Sequence, residues 1–227
     1  QRVLAVAACR TLADAGRPYA TLDVRDLQHT VPDPHQTPVV LFIANRLRSY
    51  AGIDGKQIEA NLAAYRASGG RLVWIGENAP LAVFPELGKP PAGPVSEQWP
   101  AGPADAAGYK LFLAGPEPRS WPLLRSPQTP AGWHRPACPQ VLADDPARGT
   151  RPLLEFAAAG QRATVGVICK GGLSDGGSAL TEAAVIPTVA IHLYLFDKPS
   201  AEDSPADVRL DSVGRNVLME TLRRIEY

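Results

Sequence analysis

Side chains able to do chemistry are few and scattered in this chain. Cys169 closes the apolar run Val167-Ile168-Cys169 and is followed by Lys170-Gly171. A strand running into a Cys-x-Gly turn has the form of a nucleophile elbow, in which a sharp turn exposes the reactive atom. Lys170 would favour the thiolate, and His192, further along, would serve as base. Against this stands the ordinary expectation that a cysteine ending an apolar strand packs. His192 lies in IPTVAIHLYLF with no evident carboxylate partner. Cys9 and Cys138 complete a set of 3 cysteines. That set cannot pair off fully, and its spacing fits neither zinc ligation nor a C-x-x-C redox pair. One disulfide is compatible with an oxidising compartment and nothing requires it. His29, His35 and His134 sit in proline-bearing loops. His134 with Cys138 would still lack two ligands of a tetrahedral site. No metal and no cofactor is expected.

A second group of residues follows two apolar runs. Asn45 and Arg46 come after PVVLFIA, and Glu77 and Asn78 come after RLVWIG. In open parallel sheets the crevice beyond the carboxyl ends of the strands is where ligands bind, so these four are the candidate pocket lining. The alternative is that the asparagines turn the chain and Arg46 pairs with Glu77. The run KGGLSDGGS (170–178) could cradle a phosphate, but it matches neither the P-loop nor the dinucleotide fingerprint and reads as a surface loop. Trp99, Trp121 and Trp133 offer an aromatic platform for a sugar, or anchor their segment by burial.

The elements that must position these groups are read from periodicity. Residues 2–15 form an apolar helix closed by Gly16 as a C′ glycine, with Pro18 forbidding continuation. YATLDV (19–24) alternates as a strand, and DLQHTVPDPHQT (26–37) is a polar loop. PVVLFIAN (38–45) is a strand buried on both faces. Ile58, Leu62 and Tyr65 lay one apolar stripe along a helix over 56–68, which Gly69-Gly70 end, and RLVWIG (71–76) is another buried strand. Segment 38–76 is then one βαβ unit. From Pro80 to Pro152 the composition shifts, with 16 of the chain's 23 prolines. Three tryptophans argue against disorder there, so 89–150 is expected to be an ordered, loop-rich insertion folded over the sheet. Within it YKLFLA (109–114) is the one clear strand. RPLLEF and RATVGVI form a hairpin over 152–157 and 162–168. IPTVAIHLYLF starts a helix with Pro187 in its first turn, and SVGRNVLMETLRRIEY closes the chain as a helix capped by Ser212. A strand feeding the first helix is expected upstream of Gln1, since a helix of this kind crosses over from a parallel strand.

The segment VVLFIANRLRSYAGIDGKQIEANLAAYRASGGRLVWIGEN resembles the core of class I glutamine amidotransferase-like domains. It is most similar to the non-catalytic β-galactosidase trimerisation type and the ThuA-like group, with Leu62, Tyr65, Ala67, Gly69, Gly70, Leu72 and Val73 in the matching places. GQRATVGVI resembles the strand that precedes the closing helix of that group. The resemblance implies a three-layer α/β/α sandwich with a mostly parallel, flavodoxin-like sheet containing 19–24, 38–44, 71–76 and 163–168. Helices 2–15, 56–68, 187–196 and 213–225 would flank it. Catalytic amidotransferases place a cysteine on the turn after the strand matching RLVWIG. Here that turn is Gly76-Glu77-Asn78, and the downstream histidine–glutamate pair is absent, because Leu193 and Tyr194 follow His192.

The function expected from these readings is a single-domain, non-catalytic module over 1–227. It would belong to a larger bacterial protein, support homo-oligomerisation or shape a neighbouring carbohydrate-active site, and work in the cytoplasm or outside it. The alternatives are a hydrolase or amidotransferase using Cys169 or Glu77, and a carbohydrate-binding surface built on the tryptophans. The 23 basic and 23 acidic residues balance, so no electrostatic footprint favours nucleic acid. No apolar run reaches the roughly 20 residues that membrane insertion needs.

Overall fold

The computed structural model describes residues 2–44, 47, 49, 52–76, 78–88, 110–114, 119–122, 142, 145–158, 161–171, 180–187, 209–210 and 212–226. Among them are helices α1 (Arg2–Asp14), α2 (Val24–His29), α3 (Gly55–Ala67) and α4 (Ser212–Glu226). The strands are β1 (Val39–Ile43), β2 (Arg71–Ile75), β3 (Lys110–Leu113), β4 (Arg119–Pro122), β5 (Thr150–Ala158), β6 (Gln161–Cys169) and β7 (Ala183–Ile186).

Local chemistry accounts for the helix ends. In α3 the Asp54 carboxylate accepts from the Lys56 and Gln57 amides at 2.9 and 3.3 Å, satisfying donors that have no intrahelical partner. Its apolar stripe of Ile58, Leu62 and Tyr65 is fully buried. After the helix, a Cβ on Gly70 would fall 2.1 Å from the Tyr65 ring, so only glycine lets the chain turn so tightly into β2. At the end of α1, Gly16 takes φ 67°. The Gly16 amide donates to Ala13 and that of Arg17 to Leu12, the paired bonds of a Schellman closure.

A seven-stranded sheet runs in the order β1-β2-β7-β6-β5-β3-β4. β1 and β2 are parallel, as are β2 and β7. The remaining pairings are antiparallel. The sheet is therefore mixed, not mostly parallel. β5 and β6 are joined through residues 159–160, a hairpin connection, and parallel neighbours need a crossover of a dozen or more residues. The expected unit over 38–76 is present, with Val39 paired to Arg71 through Ile43 paired to Ile75.

Other expectations need correction. Residues 19–23 form no strand. Tyr19 and Leu22 are exposed, and the Asp23 carboxylate accepts from the Arg25 amide to start α2 where a loop was expected. Among the described strands β1 is outermost, and its residues alternate between buried and half-buried. β7 was not foreseen, because AAVI is too short to show periodicity. Ile186, expected in a helix, ends that strand, and buried Pro187 follows it. Residues 188–196 lie outside the described residues. Within 89–150, β3 forms as expected, but β4 joins it and both extend the main sheet rather than lying over it. Trp121 lies on β4 opposite Leu111, while Trp99 and Trp133 lie outside the described residues. Ser212 is the first residue of α4, not its cap.

Alternation along β2 separates two cores. Val73 and Ile75 face one cluster with Leu4, Ala8, Leu12, Val217, Leu222 and Ile225, so α1 and α4 cover that face. Leu72 and Trp74 face the other with Ile58, Leu62 and Tyr65, so α3 covers that one. The protein is an α/β fold with helices on both faces of a mixed sheet.

Candidate functional site

The three parallel strands end side by side, with Ile43 opposite Ile75 and Ile75 opposite Ile186. The Ala44 amide donates to the Ile75 carbonyl at 3.1 Å and the Gly76 amide to the Ile186 carbonyl at 2.9 Å, so the register holds to the strand tips. The chain leaves this carboxyl edge at Ala44, Gly76 and Pro187. Gly76 is buried at φ 155°, and Asn78 is exposed at φ 50°. Asn78 is the one non-glycine residue in the left-handed region among the described residues, a conformation asparagine accepts more readily than most. Asn78 thus lies on the turn leaving this edge, as expected. Asn45, Arg46 and Glu77 lie outside the described residues. The four candidate residues supply amides, a guanidinium and a carboxylate, and the connection after β1 also carries Ser49 and Tyr50. Such groups recognise by hydrogen bonding and charge.

Cys169 stands at the opposite edge. Because β6 runs antiparallel to β7, the last residue of β6 lies across from Ala183, the first of β7. The parallel strand tips are three residue steps further along, about 10 Å away. Cys169 is fully buried in the core on the α3 side. Its thiol pKa is pushed far up, first by desolvation and then by the Glu86 carboxylate, with Arg66 opposing. Lys170 is exposed, and its backbone amide is engaged with the Gly149 carbonyl. The packing expectation for Cys169 is the one the structure shows. His192, its expected base, lies outside the described residues, as do His134, Cys138 and loop residues 172–179. Cys9 is half-buried on α1, and burial pushes its thiol up as well.

The polar group that sequence reading missed is Arg66. It is fully buried, and its guanidinium meets the Glu86 carboxylate at 2.8 and 3.2 Å. It also donates to the carbonyls of Val83 and Thr181 and lies 5.2 Å from the centre of the Phe84 ring. Thr181 in turn donates through its hydroxyl to the Gly70 carbonyl. One arginine therefore ties the end of α3 to residues 83–86 and to the approach to β7. The signal was present, since Arg66 falls eight residues after Ile58, on the apolar stripe of α3. Its Nε has no hydrogen-bond partner among the described residues.

His29 and His35 are exposed, and no cluster able to hold a metal ion is found among the described residues. No described helix is long and apolar enough to cross a membrane. Compared with known protein families, curated proteins and solved structures, the chain matches none.

Proposed function

We propose that this chain is a non-catalytic, amidotransferase-like module of a larger bacterial protein. It forms a single flavodoxin-like unit over 1–227 that supports oligomerisation or shapes a neighbouring carbohydrate-active site. Ligand contacts come from Asn45, Arg46, Glu77 and Asn78 beyond the parallel strand tips. The observation that carries the reading is the burial of Cys169 at the edge opposite those tips. An activated thiol needs an exposed sulfur and a lowered pKa, and Cys169 has neither. The turn after β2, Gly76-Glu77-Asn78, has no cysteine, so the amidotransferase nucleophile has no counterpart there.

Iodoacetamide labelling of the whole chain near neutral pH, resolved peptide by peptide by mass spectrometry, tests this. Cys169 should label more slowly than a free thiol, and His192→Ala should leave its rate unchanged. Labelling much faster than a free thiol, lost in His192→Ala, would transfer the chain to the enzyme reading.

A further inference from the structure

Residues 80–88 run from the turn at Asn78 back over the α3 face of the sheet. Val83, Phe84 and Leu87 are buried in the same core as Cys169. Phe84 meets Trp74 of β2, and Glu86 meets Arg66 at the end of α3. Gly88, at φ 62°, packs so closely on the Arg148 guanidinium that a side chain there would collide with it. Arg148 stands two residues before Thr150, the residue that pairs with Cys169 between β5 and β6. This strap therefore reaches from β2 to the turn before β5, with β7 and β6 between them, and Cys169 lies within that span. Among the described residues the strap's backbone amides donate only within it: Val83 and Phe84 to Pro80, Leu87 to Phe84 and Gly88 to Pro85. The described bond that ties its backbone to the rest runs from Arg66 to the Val83 carbonyl, beside the Arg66–Glu86 pair. A segment with so few outside bonds opens locally at less cost than the whole fold unfolds.

Opening reverses the influences that keep the thiol inert. Desolvation and the Glu86 carboxylate push its pKa up, and Arg66 opposes them. Lifting the strap admits water and carries Glu86 away, while Arg66 stays on α3. The Arg66 Nε is fully buried and has no hydrogen-bond partner among the described residues, which leaves one donor over for an anion. We propose that residues 80–88 are a cover over Cys169 latched by the Arg66–Glu86 pair, and that the opened chain takes a low-molecular-weight disulfide at this thiol. Cys169 gives its proton to water, and its thiolate attacks one sulfur of the disulfide. A new S–S bond forms as the old one breaks, and the other half leaves as a thiolate. The disulfide is itself the oxidant. The inference goes beyond the module reading, which concerns the inert thiol of the closed chain.

The test is reaction of the whole chain with glutathione disulfide over a range of low urea concentrations, read on the Cys169 peptide by mass spectrometry. In the parent the rate should be slow and should rise with urea less steeply than equilibrium unfolding does, as a local opening requires. Glu86→Leu should raise the rate without urea roughly a hundredfold or more, and adding Arg66→Met should bring it most of the way back. Leu222→Ala, which weakens the opposite core, should leave the rate without urea almost unchanged. Should Glu86→Leu unfold, the urea slope of the parent decides alone. A parent rate that follows urea as steeply as global unfolding, no acceleration in folded Glu86→Leu, or an equal acceleration by Leu222→Ala would overturn the cover and leave the module reading standing. Reaction of the parent faster than that of a free thiol would overturn both.

Discussion

On the face under α1 and α4 the core is aliphatic, made by Leu4, Ala7, Val73, Ile75, Leu153, Val217, Leu222 and Ile225 with no charged group among them. On the face under α3 the core is built on aromatics. Phe42 stacks on Trp74 with ring centres 5.1 Å apart, Phe84 meets Trp74 edge-on at 6.3 Å, and the Arg66–Glu86 ion pair lies buried beside Phe84. Both faces exclude water, but they are sensitive to different changes. Aliphatic packing loses stability with the volume removed. A buried ion pair loses it when one charge is stranded, and removing both charges together can cost nothing.

The sharpest way to break the contrast is at Glu86. Glu86→Leu leaves the Arg66 guanidinium buried without its carboxylate and should cost about 3–5 kcal/mol in urea unfolding. Adding Arg66→Met should recover most of that loss, so the double variant lies much closer to the parent than the single one. If the two changes simply add, the pair is not a coupled unit and the contrast between faces fails.

The other face supplies the control. Leu222 is 3% exposed, and Leu222→Ala should cost roughly 2–5 kcal/mol through lost burial and the cavity left behind. Combined with Glu86→Leu it should add almost independently, because the sheet separates the two sites and they share no partner. Strong coupling between them would mean that the sheet transmits strain from one core to the other.

The smallest effect belongs to the outer surface of the aliphatic side. Glu220 accepts from Arg223 at 2.6 Å and from Arg224 at 2.8 Å. The hydrogen bond from Arg223 is the main cause that holds its carboxyl down at about 2, against an ordinary 4.5. A folded-state value below the unfolded one stabilises the fold above about pH 4.5, and the contribution is lost as pH falls toward about 2. Glu220→Gln should therefore be less stable than the parent near neutrality, by no more than about 1 kcal/mol after solvent screening. The gap should close as pH drops through that window. A gap independent of pH would remove the ion pairs as its cause.

Legibility in the sequence followed the same division between simple and composite packing. The β1–α3–β2 unit was readable because Ile58, Leu62 and Tyr65 keep helical period between two apolar runs, and glycines mark the turn. The β5–β6 hairpin was readable from its two β-rich runs. What failed depended on neighbours distant in sequence. YATLDV has strand-like alternation, yet 19–23 pair with nothing described, and a strand without a partner has no ladder to stabilise it. AAVI became β7 because β2 and β6 bracket it, which no local pattern announces. Of the candidate site, the turn at Asn78 was placed correctly relative to the strand tips. Cys169 packs as expected, but which edge it occupies was not legible, because the direction of β6 beside β7 decides that. Arg66 was legible only as a charge on an apolar stripe.

The pairing of β2 with β7 joins Leu72 to Ala183, while β1 with β2 and β5 with β6 each join segments close in the chain. Closing a long loop is an entropic cost that must be met before the contact rewards it. The two nearby pairings can form early and separately, so the meeting of residues 72 and 183 is expected to be a slow step in folding. The Arg66 bond to the carbonyl of Thr181, just before β7, belongs to that same late encounter. Removing it should slow the joining of the two parts rather than the formation of either.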